Sequence, residues 1–423
     1  MSNASGHKHP VRAARPRTVT AELAINSSAS NGLRLETLPP IPLGCRDERA
    51  CSSDRPPRVV IVAPWGERHG GAEMMLWSFL RRLAPSRLDP QVIFMQPGSF
   101  EQETAALGLR THVVYGVRLR NAPETGLAVW RLGRLLGRLR PDLVLSWAPK
   151  PHVYVALGAF LAGWPRLAWW QHGITGGHWM DRLATHLPAV AVGCSSEAAA
   201  EAQRRLRPRR PTFVVHPGVE PLAGDMRGPA VRRALGLPER GFLVGTVGRL
   251  QPDKGQDRFV RALALLRQRG RRVHGVVVGG TAFGLSPEYA ASVRRLIAEL
   301  GLESTVTLAG QVSDVGPYLA ALDVLVNPSS GESFGIALVE AMSAGIPVIN
   351  TARGGPEEIL ESGTTGIMLD SREPGDIADA IDVLMLDDRR RARMAEAARA
   401  RAARFTADAM THRLENALLA LTT

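Results

Sequence analysis

The chain has 423 residues, enough for two or three domains and an ample core. Apolar residues make up 45% and charged residues 22%, as in ordinary globular proteins, and no uncharged apolar run reaches the roughly 18 residues of a membrane span. A net charge of +12 suits nucleic acid, an anionic membrane face or a negatively charged substrate. The arginines are spread over many predicted helices without an aromatic-interleaved basic motif, which counts against nucleic acid.

Residues 1–57 are rich in Ser, Ala, Arg and Pro, lack sustained periodicity and predict a disordered tail. The tail's composition is like a transit peptide's, but Glu22, Glu36, Asp47 and Glu48 argue against one, and no apolar core of a secretory signal appears. His7 and His9 read as solvated tail. Cys45, Cys51 and Cys194 form neither a disulfide framework nor a zinc pattern, so a reducing, cytoplasmic setting is expected.

Arg58–Pro64 is a β-branched apolar run, hence a buried strand. Gly70-Gly71 then opens an amphipathic helix from about Ala72 to Leu83, where backbone amides can approach a phosphate. Further strands are expected at Asp89–Met95, Thr111–Tyr115, Leu143–Trp147, Leu167–Gln171 and Ala189–Cys194, alternating with helices. Leu127–Arg140 places Arg131, Arg134 and Arg138 on one helical face and leucines around the other. Such a helix covers a sheet with its arginines in water, or offers a basic face to anionic lipid. Trp164–Trp179 holds four of the eight tryptophans beside a Gly-rich loop, suited to stacking on sugar or lipid or to a core. His172 follows a strand end directly; His178 reads as structural.

His216–Asp225 breaks into Pro and Gly, an expected hinge. A strand ending near Val247 leads into a loop carrying Arg249 and Lys254, two cations suited to a diphosphate, before a helix from Gln256. Val273–Gly279 and Val306–Ala309 read as strands around the helix Tyr289–Leu300. The stretch Asp323–Asn350 then reads strand, loop, helix, strand, a βαβ unit of a parallel sheet. Its helix, Gly335–Ala344, leaves the amides of Phe334, Gly335 and Ile336 free at the positive end of the dipole. Glu332 in the loop and Glu340 in the helix flank that terminus; taken alone, Glu340 is a surface helix residue. Gly354–Ile359 reads as support for a sheet edge, with Arg353 near the cleft. Arg389–Arg404 reads as a solvated helix face and Ala407–Leu421 as a final helix.

Glu332-x7-Glu340 with Phe-Gly after the first Glu, preceded by Asn-Pro-Ser and followed by Glu-Ala-Met-Ser-Ala-Gly-Ile-Pro-Val, resembles the signature of the family 4 glycosyltransferases. Gly70-Gly-Ala-Glu73 and Gly248-Arg-Leu-x-x-x-Lys-Gly255 resemble two further motifs of that family, in the expected order over about residues 58–420. Ser333 departs from the pattern, where Gly is frequent, and residues 1–57 have no family counterpart.

The resemblance implies an α/β GT-B architecture, two facing Rossmann-like domains with mostly parallel sheets and a cleft between them. The expected division is a tail at 1–57, an acceptor domain at 58–217, a nucleotide-sugar domain at 218–406, and a helix at 407–423 folding back on the first domain. It implies retaining transfer of a sugar from a nucleoside diphosphate to an acceptor hydroxyl. Arg249 and Lys254 would grip the leaving diphosphate, Glu332 the sugar hydroxyls and Glu340 the ribose. Gly70, Gly71, Ser333, Phe334, Gly335 and Ile336 would line the donor site, the backbone at Gln311 and Val312 would read the base, and His172 would face the sugar. No Asp-x-Asp metal site is evident, so two side-chain cations stand in for a divalent ion and no metal or cofactor is expected. A saccharide, glycolipid or small polyol is the expected acceptor, with peripheral association to an anionic membrane. A GT-B phosphorylase, a non-catalytic scaffold and a nucleic-acid binder remain as alternatives.

Overall fold

The computed structural model describes residues 55–423 apart from 69, 117–120, 221–227 and 282–285, all within one compact unit. The tail therefore lies outside the described residues up to position 54, as do His7 and His9. Residues 55–57 depart from the expected tail: Arg55 donates to both carboxylate oxygens of Asp142.

The N-terminal lobe alternates β1 (Arg58–Ala63), α1 (Gly71–Leu80), β2 (Asp89–Phe94), α2 (Ser99–Ala106), β3 (Arg110–Val113) and α3 (Ala122–Leu139). It continues through β4 (Leu143–Ser146), α4 (Pro149–Gly158), β5 (Arg166–Gln171), α5 (Trp179–His186), β6 (Ala191–Cys194), α6 (Glu197–Arg205) and β7 (Thr212–Val214). All seven strands pair in parallel, in the order 3-2-1-4-5-6-7. Strands such as Val59–Ala63 are apolar throughout because helices cover both faces.

The C-terminal lobe runs α7 (Pro229–Ala234), β8 (Phe242–Val247), α8 (Gln256–Gln268), β9 (Val273–Val278), α9 (Pro287–Glu299), β10 (Val306–Gly310) and α10 (Gly316–Ala321). Then follow β11 (Val324–Asn327), β12 (Gly331–Glu332), α11 (Ile336–Ser343), β13 (Val348–Asn350), β14 (Arg353–Gly354), α12 (Pro356–Ile359) and β15 (Gly366–Met368). The helices α13 (Pro374–Leu386), α14 (Asp388–Ala402) and α15 (Ala407–Thr422) close the chain. Its main sheet is parallel, ordered 10-9-8-11-13-15.

The chain crosses between lobes twice, and the crossings are bonded to each other. Val219 N donates to Phe405 O at 2.9 Å and Ala407 N to Val219 O at 3.0 Å. Beyond the second crossing, α15 returns to the first lobe. Met410, Leu414, Leu418 and Leu421 enter the core formed by β1, β2 and α1. Buried Glu415 accepts from Ala84 N and Arg87 Nη1, fixing the helix axially.

Two tryptophans of the Trp164–Trp179 stretch belong to this interior and not to a ligand surface. Trp169 and Trp170 are fully buried, Trp170 stacking on Trp147 at 5.4 Å. His178 is the N-cap of α5, its Nδ1 accepting from Met180 N.

Candidate active site

In the C-terminal sheet the strand order reverses between β8 and β11, which lie side by side. Loops leaving the carboxyl ends of such a pair face one crevice. These loops are Gly248–Gly255 and Pro328–Gly335, and they are tied together. Ser330 N donates to Asp253 O at 2.8 Å, and the Arg258 guanidinium reaches Pro328 O at 2.8 Å. Gly255, at φ +67°, packs so closely that a Cβ there would lie 2.3 Å from Pro328 O.

Across this junction Lys254 Nζ meets Glu332 Oε2 at 2.6 Å, with both side chains largely buried. The ammonium keeps further N–H donors for an incoming anion. Glu332 does not ride on a free loop as expected: it belongs to β12, paired in parallel with β14. Arg249 is half-buried and makes no side-chain hydrogen bond or ion pair among the described residues. Its carbonyl accepts from Nε2 of buried Gln256, which orients the turn from beneath. Gln256 carried no signal in the sequence beyond opening a helix.

Beside these cations stands the N-terminus of α11. Its N-cap is Gly335 at φ +102°, a conformation that glycine adopts without penalty. The amides of Phe334, Gly335 and Ile336 donate to no acceptor among the described residues. Facing them is the start of α1 from the other lobe, with Gly70 as N-cap. A Cβ on Gly71 would lie 2.6 Å from Ile336 Cδ1, so the first turns of two helices converge there. Gly71→Val should wedge this approach and raise the donor KM about tenfold, read by steady-state kinetics with circular dichroism as the folding control.

Glu340, one turn inside α11, is half-buried and makes no side-chain hydrogen bond among the described residues. Burial, with the charge of Asp314 adding to it, pushes its carboxyl up to about 7. A plain surface carboxylate would not behave so, and nothing local in the sequence marks Asp314 as its neighbour. Ser333 and Phe334 press against Gly355, where a Cβ would lie 2.3 Å from Phe334 Cα. Gln311 and Val312 follow β10 on the same edge of the sheet, Gln311 packed against Gly280.

On the opposite wall, His172 leaves the carboxyl end of β5. Its Nε2 lies 3.0 Å from Trp147 O and its Nδ1 3.4 Å from Ser195 Oγ. Dense packing lowers the imidazole to about 3, so the ring is neutral and both nitrogens are engaged within its own lobe.

The lobes are also joined by a carboxylate of α12. Gly354–Ile359, expected to support a sheet edge, instead bridges the domains. Glu358 of α12 accepts from Glu197 N at 3.0 Å and Ala198 N at 3.1 Å, the first turn of α6 in the other lobe. The same carboxylate meets His216 Nε2 at 2.8 Å in the first crossing. His216 stacks on Phe334 at 5.5 Å, directly before Gly335, and Phe405 of the second crossing packs on both rings. Arg353 is exposed and pairs with Glu357 and Asp370.

Two family models match consecutive stretches, Glycosyltransferase Family 4 over residues 69–221 and Glycosyl transferases group 1 over residues 229–401. The chain belongs to the family 4 glycosyltransferases. The D-inositol 3-phosphate glycosyltransferase of Stackebrandtia nassauensis is 36% identical over 238 residues, 53% of this chain and 52% of that protein. Its namesake in Salinispora arenicola is 39% identical over 207 residues, 46% of each. This family 4 chain thus matches about half the length of these relatives. Anabaena HepE, solved in complex with UDP-glucose, superposes with a TM-score of 0.75 at 26% identity, over 86% of this chain and 99% of that one. The shared fold is GT-B.

Proposed function

We propose that the protein is a retaining glycosyltransferase moving a sugar from a nucleoside diphosphate to an acceptor hydroxyl. The observation that carries this reading is the junction of the two donor loops, where Lys254 lies on Glu332 and Arg249 has no carboxylate partner among the described residues. Rupture of the glycosyl–phosphate bond leaves negative charge on the diphosphate and positive charge on the sugar. Arg249, Lys254 and the open amides at the start of α11 are fixed charges and dipoles aimed at that anion. Two side-chain cations would thus serve without a metal. Glu332, steadied by Lys254, holds sugar hydroxyls. His172 contributes its carbonyl beside the developing cation, its neutral ring adding no opposing charge. The departing phosphate takes the acceptor's proton on the face it leaves, which retains configuration.

Likeness to a structure holding UDP-glucose supports a uridine-diphosphate sugar as donor. Likeness to D-inositol 3-phosphate glycosyltransferases supports a polyol or saccharide acceptor. A panel of nucleotide sugars, scored by thermal stabilisation and by donor hydrolysis, tests the reading; no response to any of them would overturn it. Release of sugar phosphate dependent on inorganic phosphate would identify a phosphorylase instead.

Glu340 supplies a pH test. The ionised carboxylate is the form that accepts two ribose hydroxyls, and its folded value is about 7. Below that value the group is protonated and donor binding must expel a proton. Donor affinity should therefore fall as pH drops through about 7 and stay level in Glu340→Gln. Calorimetric titration across that range checks it; an identical slope in the variant would remove Glu340 from ribose binding.

A further inference from the structure

One layer of helices on the N-terminal sheet carries exposed chemistry that the transfer reaction does not use. α3 buries Ala128, Leu132 and Leu136 and leaves Leu127, Trp130, Arg131, Arg134 and Arg138 exposed. Gly133 and Gly137 let the C-terminal end of α4 and the chain after it approach at backbone distance. A Cβ on Gly133 would lie 2.6 Å from Gly158 O, and one on Gly137 3.1 Å from Leu161 O. That approaching segment exposes Leu157, Phe160, Leu161 and Trp164, with Phe160 58% and Trp164 60% accessible. Neither segment alone carries so broad an apolar surface; their packing joins the two.

Beyond the first turn of α3, where Glu124 stands exposed, every charged side chain of the helix is basic. Arg131, Arg134 and Arg138 form no ion pair among the described residues, whereas Arg58, Arg82 and Arg87 in the same lobe all do. Arg134 lies over the Trp130 ring at 5.2 Å. Between α3 and the edge strand β3 is a cavity of about 290 Å³ lined by His112, Tyr115, Arg131, Leu135 and Arg138. The buried Nε2 of His112 has no partner there among the described residues. Tryptophan, phenylalanine and leucine interleaved with unpaired arginines match the chemistry of a headgroup region, apolar beneath and anionic above.

We propose that this face docks the protein on an anionic lipid bilayer. Trp130, Phe160, Leu161 and Trp164 enter the interface, and a lipid phosphate sits between Arg131 and Arg138. A protein partner would need a carboxylate-rich surface with an apolar centre; a bilayer supplies both features over any area, which favours it as the occupant. The face lies on the outer side of the helix layer, while the donor crevice opens at the carboxyl ends of the strands, so docking leaves the cleft free. This inference does not depend on the donor assigned above.

The test uses the full chain with vesicles of phosphatidylcholine, alone or mixed with phosphatidylglycerol, sedimented at low and high salt. Binding is expected to the mixed vesicles only and to weaken with salt. Replacing Arg131, Arg134 and Arg138 together by glutamine should weaken it by tenfold or more, on the order of one basic contact each. Replacing Trp130, Phe160 and Trp164 together by serine should do the same, with donor hydrolysis unchanged in both variants. Brominated lipid in the mixed vesicles should quench tryptophan fluorescence of the unaltered chain, which needs no substitution. Protein remaining in the supernatant with mixed vesicles at low salt, or quenching by neither lipid, would overturn the proposal. So would a concentration-dependent dimer lost in the serine variant without vesicle binding, which would assign the face to a second copy.

Discussion

Lys254→Ala is expected to lower turnover about 10²-fold, the loss typical of one preorganised group that meets charge developing in the transition state. The ammonium has two neighbours to serve. In the free protein it neutralises Glu332 at 2.6 Å, in a place where both side chains are less than a fifth exposed. With donor bound, its remaining N–H groups face the diphosphate. These roles separate experimentally. Alanine at 254 leaves a largely buried carboxylate without its counter-charge, so stability should fall together with turnover. Removing Glu332 as well relieves that imbalance, and the double variant should regain thermal stability while turnover stays low. Arginine at 254 keeps the charge but brings a wider planar fork into a site shaped for a point charge, so partial activity is expected. Steady-state kinetics on transfer and on donor hydrolysis, alongside thermal melts, would settle it. Near-normal turnover in Lys254→Ala would remove this residue from the mechanism.

Glu358→Ala should produce the largest effect from outside the donor crevice. One carboxylate there meets two amides of α6 and the Nε2 of His216, so its loss strands a helix terminus and an imidazole together. Removing a charged cap of this kind costs about 2 kcal/mol, since the group is partly solvated. For a chain of this size that lowers the melting temperature by roughly 2–4 °C. The functional consequence passes through His216, whose ring lies against Phe334 at the mouth of α11. With His216 released, Phe334 and the amide at Gly335 lose their backing, and the donor KM should rise more than kcat falls. Glu358→Gln, which keeps an oxygen acceptor but no charge, should lie between. Unchanged melting and an unchanged donor KM in both variants would show that the lobes do not depend on this contact.

Much of the architecture could be read directly from the chain. Apolar β-branched runs such as Val59–Val62 and Val276–Val278 suit strands buried on both faces, and they are such strands. A helix was expected from Gln256, and it runs to Gln268. At the site, Arg249, Lys254, Glu332 and Gly335 became candidates by standing at a strand end or a helix start, where a parallel sheet exposes its loops, and the family resemblance supplied their expected roles. Residues that act through distant partners left no such mark. Glu358 sits next to Glu357 and differs from it in nothing local, yet Glu357 holds Arg353 while Glu358 spans the lobes. Gln256 and Asp314 were silent for the same reason.

Helical and strand periodicity, glycine placement and the order of the loop motifs are local properties, and the sequence alone determined them, together with the family resemblance. The strand order did not follow from periodicity. That order sets β8 beside β11 and so brings Lys254 against Glu332 across 78 positions of chain. Nor did the joining of α3 to the chain around Phe160, or the fate of the tryptophans at 169 and 170, follow from local pattern. Each of these depends on which apolar faces meet when the sheets close, and burial is decided by the whole assembly of elements and not by any one of them.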